Sequence, residues 1–382
     1  MSTRWSSRRF ADALAAQEPG ASQEEVDAAV QKAVEEAVAA AEAAAAAAVA
    51  EAAAAAAAAM TDEPSFFEGK TIRLLVGFSA GGGYDTYARA ISRHIGGHIP
   101  GNPDVIVENM TGAGSLVAAN HLFNQAKPDG LTLGSWNSAH LLIQALEGNE
   151  GILFFGEKYG WSGAPSDGNP VCAVMGHAGI SGEDLLNGVP AKFGATGAFG
   201  GAFSDTVRQM NQYLGTNIEV VSGYRGSSRV RLAMQEKEVD GGCFGWESMS
   251  VTARAMLDAE GDDKLIPFVS VFPSDDPELA GIPVIGDLIT DEANKALWGV
   301  WTTTYQFQRP WTTPPGTPED RIETLRAAFA ATMADPAFLA DAEQAGLVIS
   351  PIAGAQVEEW VLDTLRISSE TKEALQFLVP SG

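Results

Sequence analysis

Histidine and cysteine are scarce in this chain, at five and two in 382 residues. The cysteines, Cys172 and Cys243, form no C-x-x-C pair and have no histidine at metal-ligand spacing, which argues against a zinc site. Both sit in strand-like runs, PVCAVM and GGCFG, where two buried thiols and one disulfide are both open readings. The histidines (His94, His98, His121, His140, His177) make no helical H-x-x-x-H pair, because Gly96 and Gly97 interrupt the span from His94 to His98. Positive charge is sparse too: 24 Lys and Arg stand against 49 Asp and Glu, for a net charge of −25. Such a chain repels a phosphate backbone, so no nucleic-acid partner is expected. A small anion stays admissible, because a local nest of main-chain N–H groups outweighs a distant field. A strongly apolar run of membrane-spanning length is missing as well. Ala43 to Met60 is long enough, but alanine is weakly apolar and Glu51 lies near the centre.

What is present divides into two parts. Residues 1–21 are polar, and Arg8-Arg9 after Ser7 has the form of a twin-arginine export signal without the apolar core that should follow. Ser22-Gln23-Glu24-Glu25 has the capping-box pattern, Val26, Val30, Val34 and Val38 recur every four residues, and alanine dominates from Ala37 to Ala59. These predict a solvated helical stalk over about 23–60, roughly 57 Å long at 1.5 Å per residue. Asp62-Glu63-Pro64 ends it, so residues 1–64 are expected to form a polar segment, stalk and linker.

Beyond residue 64 the pattern alternates between β and α. Strands are predicted at Thr71–Phe78, Val105–Val107, Leu131–Gly134, Ala191–Ala195, Ile218–Val221 and Val239–Phe244. Helical faces follow at Tyr87/Ile91/Ile95, Leu116/Ala119/Phe123, Val207/Met210/Leu214, Arg229–Lys237 and Ile322/Leu325/Phe329, the last interrupted by Pro336. This alternation predicts parallel sheets with right-handed crossovers. Glycine-rich loops lie where strands run into helices, and in open α/β sheets that is where ligands collect. Helix N-termini there carry unpaired N–H groups and partial positive charge, so a carboxylate or phosphate is the natural guest.

Several motifs point elsewhere and fail on context. Gly77-Phe78-Ser79-Ala80-Gly81 matches the G-x-S-x-G elbow of serine hydrolases, which makes Ser79 the nucleophile of the alternative, enzymatic reading. That fold needs several strands before the elbow and a histidine late in the chain; the last histidine here is His177. Gly69-Lys70-Thr71 resembles the end of a P-loop, but Pro64 occupies the first glycine position and the motif precedes its strand. Gly112-Ala113-Gly114 begins a dinucleotide fingerprint whose third glycine is Val117. No cofactor, no metal and no catalytic residue are therefore expected. Trp246-Glu247 reads either as a cleft wall or as a packed Trp beside a solvated Glu.

Six segments in order resemble one known family. Phe78–Asp85 is similar to its F-x-P-G-G-x-x-D loop, Val107–Gly114 to V-E-N-R-P-G-A-G, and Lys127–Leu133 to x-P-D-G-Y-T-L. Tyr224–Ser227 resembles Y-K-G-S, Val239-Asp240 a V-D strand start, and Pro315–Pro318 P-x-G-T-P. The family is the substrate-binding receptor of tripartite tricarboxylate transporters, the Bug family. The resemblance implies an α/β, two-lobed type II periplasmic-binding-protein fold, here preceded by the long Ala-rich helix. Lobe 1 would take residues 65–169 and 297–382, and lobe 2 residues 170–296. It implies a periplasmic or extracytoplasmic protein, although no ordinary signal peptide is visible. Such a protein captures a small organic carboxylate between its lobes for membrane transporter subunits. The implied pocket comprises Ser79, Ala80, Gly81, Gly82, Gly83, Tyr84 and Asp85; Thr111, Gly112, Gly114 and Ser115; Asn137 and Ser138; Thr196, Gly197, Phe199, Gly200 and Ser204; and Tyr224, Arg225 and Gly226. The chain departs from the pattern at Ala80 (proline), Tyr84 (a small polar residue), Met110-Thr111 (Arg-Pro) and Arg225 (Lys). An inward Arg225 would make a bidentate carboxylate contact.

Overall fold

The computed structural model describes residues 65–147 and 149–379, so the expected stalk lies outside the described residues. Among them no helix is long and apolar enough to cross a membrane.

Two sheets organise the chain. The first contains β1 (Thr71–Val76), β2 (Asp104–Asn109), β3 (Thr132–Ser135) and β4 (Gly160–Ala164). The second contains β5 (Pro170–Met175), β6 (Ala191–Ala195), β7 (Ile218–Ser222), β8 (Gly241–Gly245) and β9 (Leu265–Ser270). The chain then returns to the first sheet as β10 (Trp311–Thr313) and β11 (Ile352–Ala353), giving orders β11-β4-β10-β3-β1-β2 and β7-β6-β8-β5-β9.

The helices follow their apolar spacing. α1 (Gly83–Ile95) buries Tyr87, Ile91 and Ile95, which at intervals of four share one face. They pack with Leu74 and Val76 of β1 and with Leu325 and Phe329 of a later helix, Glu319–Ala334. Five more helices matter for the site: α2 (Leu116–Asn124), α3 (His140–Ala145), α4 (Ala202–Leu214), α5 (Ser227–Gln235) and α6 (Trp246–Thr252). Pro336 divides the C-terminal helical run as expected, opening a second helix at Pro336–Gln344.

The all-parallel expectation needs correcting. β1 pairs in parallel with β2 and β3, and β6 with β7 and β8, but β10 runs antiparallel to β3 and β4, and β5 antiparallel to β8 and β9. β5 and β10 are the first strands after the chain passes between sheets. A chain arriving from the passage enters at the end where the parallel strands finish, so it has to run back the other way. The two passages, 165–169 and 303–310, are themselves tied together: Gln308 N–H donates to Ser166 O at 2.8 Å and Gly168 N–H to Tyr305 O at 2.9 Å. Trp298 and Trp301, just before the return passage, pack in a cluster with Phe193 and Cys243 of the second sheet.

The cysteines are joined. Cys172 on β5 and Cys243 on β8 stand directly opposite one another in register and form a disulfide, which resolves the two readings left open by their strand-like runs.

Candidate functional site

Every loop of the implied pocket leaves the carboxyl end of a parallel strand, and loops from the two sheets meet face to face. From the first sheet come 77–82, 110–115 and 136–139; from the second come 196–201 and 223–226. Ser79 N–H donates to Arg225 O at 2.9 Å, Ser79 Oγ lies 3.0 Å from Ser228 Oγ, and Arg231 donates to Gly81 O at 3.1 Å. Gly226 has to be glycine for this approach, because a Cβ there would lie 2.3 Å from Ser79 Oγ and 2.9 Å from Ser79 N. Gly114 and Gly197 meet similarly: a Cβ on Gly197 would fall 3.1 Å from the Gly114 Cα. In this arrangement the glycines let backbone approach backbone across the cleft.

The loop before α2 holds four successive positive-φ residues, Gly112, Ala113, Gly114 and Ser115. For Ala113 and Ser115 that costs roughly 1–2 kcal/mol each. The conformation brings Ser115 Oγ to accept from Asn137 N–H at 2.9 Å, and the absence of a side chain on Gly77 leaves room for the Ser115 Cβ. His140, at the start of α3, donates from Nε2 to Gly114 O at 2.9 Å, while its buried Nδ1 has no hydrogen-bond partner among the described residues and faces Gly200. Burial pulls its pKa down to about 4, so the ring is neutral at pH 7.

Two glycine turns carry their own carboxylates. Asp85 accepts from Gly81 N–H at 3.0 Å and from Asn109 Nδ2 at 2.9 Å, and pairs with Arg89 at 2.9 Å. Burial acts to raise its pKa, but Arg89, the Gly81 N–H and Asn109 together hold it below the ordinary range. Asp205 accepts from Gly200 N–H at 3.0 Å, Gly201 N–H at 2.9 Å and Ser204 Oγ at 3.2 Å. Here burial dominates and pushes the pKa up to about 6.

Between the sheets lies a cavity of about 50 Å³, lined by Phe78, Gly83, Tyr84, Asn137, Gly168, Pro170, Phe203, Ser227, Phe244, Gly245, Glu247, Ser248, Tyr305, Gln308 and Arg309. That is room for roughly three to five waters at about 10–15 Å³ each. The first-turn residues of four helices reach it: Gly83 and Tyr84 of α1, Phe203 of α4, Ser227 of α5, and Glu247 and Ser248 of the shorter α6. Of the residues of the implied pocket, Gly83, Tyr84 and Asn137 line this cavity. Others turn away. Ser138 Oγ lies 2.8 Å from Thr304 O and 3.0 Å from Phe307 O, so it braces the return passage. Tyr224 donates to Glu238 at 2.6 Å, and the Arg225 side chain is exposed. Phe199 packs edge-on to His140, and Thr196 and Ser204 are buried.

Arg309 went unnoticed in the sequence. It sits in the return passage at a left-handed φ of 57°, 4% exposed. Its Nη2 donates to Glu247 Oε1 at 2.5 Å and its Nη1 to Ser166 Oγ at 3.1 Å, and its guanidinium carbon lies 4.4 Å from the Tyr87 ring centroid. Desolvation works against the charge, but Glu247 and the two tyrosines Tyr87 and Tyr84 outweigh it and its pKa rises. Glu247, 7% exposed, is a cavity wall and not a solvated residue. Ser79 Oγ pairs with a serine, and among the described residues no histidine hydrogen-bonds either hydroxyl. No group of three or more His, Cys, Asp and Glu among the described residues is arranged to hold a metal ion.

No protein-family model and no curated protein sequence matches this chain. Solved structures do. The periplasmic binding protein BugD aligns with a TM-score of 0.63 at 18% identity, covering 82% of this chain and 98% of that one. MatC from Rhodopseudomonas palustris with bound malate aligns at 0.60 and 20% identity, covering 80% and 99%. A second R. palustris protein, with adipate, aligns at 0.63 and 15% identity, covering 81% and 97%. The chain therefore has the two-lobed periplasmic-binding-protein fold.

Proposed function

We propose that this protein is an extracytoplasmic receptor that captures a small organic carboxylate between its lobes and hands it to membrane subunits of a tripartite tricarboxylate-type transporter. The observation that carries the reading is the convergence of four helix N-termini, at Gly83, Ala202, Ser227 and Trp246, on one cavity between the sheets. Each presents N–H groups without helical partners and a partial positive charge, so together they favour a carboxylate in a place largely withdrawn from water. Capture proceeds by closure of one lobe on the other about the two bonded passages. We take residues 65–169 and 297–382 as the first lobe and 170–296 as the second, with the passages at 165–169 and 303–310. The malate and adipate in the two R. palustris structures are carboxylates, the broad class of anion that helix N-termini attract. The disulfide is of a kind that persists in oxidising compartments, which supports a location outside the cytoplasm.

Isothermal titration against mono-, di- and tricarboxylates tests the reading. Saturable binding of at least one carboxylate, accompanied by a smaller radius of gyration in solution scattering, is the expected result. Binding of only neutral or cationic solutes would sink it.

A further inference from the structure

The side chains that line the cavity bring it no surplus charge. Arg309 and Glu247 both line it and neutralise each other at 2.5 Å. A helix N-terminus is worth about half a positive charge, and two of the four that converge here already face a carboxylate of their own, Asp85 and Asp205. What is left stabilises one incoming carboxylate and leaves a second uncompensated in a space largely withdrawn from water.

The same residues have unused capacity of both signs. Glu247 Oε1 is taken by Arg309, whereas Oε2 receives only a long contact, from Asn169 N–H at 3.4 Å. Arg309 Nε and the Tyr305 hydroxyl are buried and have no hydrogen-bond partner among the described residues. The cavity is also lined by four aromatic residues, Tyr84, Phe203, Phe244 and Tyr305, and aromatic faces attract a cation. We propose that the ligand carries an ammonium group beside its carboxylate, and that Glu247 is the residue that selects it. The ammonium donates to Glu247 Oε2, and the carboxylate accepts from Arg309 Nε, the Tyr305 hydroxyl and the helix N-termini. A zwitterion adds no net charge to the neutral pair. The small cavity favours a short chain, of the size of a simple amino acid.

This inference rests on the carboxylate-receptor reading above, and its test separates the two. The full chain is titrated calorimetrically with two matched sets: alanine, lactate and propionate, then aspartate, malate and succinate. A hydrogen bond from a charged donor exceeds a neutral one by enough to make the amino acid bind about tenfold tighter than its hydroxy partner in the better-fitting set. Glu247→Gln keeps an acceptor for Arg309 but removes the charge, and should shrink that preference to about threefold or less. A wild-type preference for the hydroxy or unsubstituted acids overturns the inference and leaves the receptor reading standing. If no acid binds while a neutral or purely cationic solute does, both fall. A folded Glu247→Gln protein that keeps the full preference for the amino acid removes Glu247 as the selecting residue. Circular dichroism reports whether the variant folds; if it does not, the wild-type ratios decide alone.

Discussion

The two lobes enter their cleft-facing helices through nearly the same device, with opposite electrostatic results. In the first, Gly81-Gly82 leads into α1 and Asp85 reaches back to the Gly81 N–H; in the second, Gly200-Gly201 leads into α4 and Asp205 reaches back to both glycines. Asp85 shares its charge with Arg89, whose side chain is 47% exposed, and with Asn109, so its carboxylate is held ionised. Asp205 is 1% exposed, and its hydrogen bonds come from two main-chain N–H groups and a hydroxyl. A carboxylate plugging a helix N-terminus therefore stabilises one lobe and loads the other with a buried charge. What separates them is whether a cation bonds the carboxylate directly, as Arg89 does for Asp85, or acts on it only from a distance, as Arg208 does for Asp205, and position in the turn does not reveal that.

The largest expected break in this comparison lies in the second lobe, which alone carries the disulfide. Replacing Cys172 and Cys243 together by alanine should lower stability by about 2–5 kcal/mol, read as a lower urea midpoint. A reductant should then change nothing further in the variant.

The pH dependence of the two carboxylates comes next, and here the signs oppose. The folded-state pKa of Asp205 is raised from 3.8 to about 6, so the native state holds more protons than the unfolded one in that range. Its contribution is best below pH 4 and is lost as pH rises towards 6, over a span of roughly 3 kcal/mol. Asp205→Asn should accordingly gain on wild type between pH 4 and pH 7. His140, lowered to about 4, acts in the opposite direction over an overlapping range but is common to both proteins, so it cancels in their difference. Asp85→Asn should do the reverse of Asp205→Asn, because a lowered carboxylate pKa stabilises above its unfolded value and is lost as pH falls. Chemical denaturation of the three proteins at several pH values tests this; parallel slopes would erase the distinction between the lobes.

The smallest effect concerns the contact between lobes. Gly226→Ala places a methyl against Ser79 and should weaken ligand affinity by about threefold to tenfold through hindered closure, with a melting temperature near that of wild type. An unchanged affinity would mean that the Ser79–Gly226 approach is not part of the bound state.

How much of this was legible beforehand differs by element. Strands such as Ala191–Ala195, and helices with apolar spacing such as Tyr87, Ile91 and Ile95, could be read directly, because their periodicity is local. β10 and β11 could not: three residues and two residues are too short for a pattern, and only their partners β3 and β4 make them strands. The glycine loops were legible because their chemistry is sequential. Ser138, Tyr224 and Arg225 are cleft residues by position in the chain, yet each side chain is directed elsewhere or left in solvent. Glu247 was visible with two meanings, and Arg309 had no local signal.

By itself, then, the sequence determined that this is an alternating α/β chain with glycine turns ahead of its helices, unsuited to nucleic acid and suited to a small anion. Those properties follow from composition, period and backbone freedom, which each residue carries with it. Only the tertiary structure decided that Asp85 and Asp205 plug their own helix ends, that Cys172 meets Cys243, and that Arg309 neutralises Glu247 within the cavity. Each of those depends on where folding sets the partner, within a turn for the two aspartates, across one sheet for the cysteines and between the lobes for Arg309 and Glu247, and Coulomb and hydrogen-bond energies depend on that distance and burial, which no stretch of sequence contains.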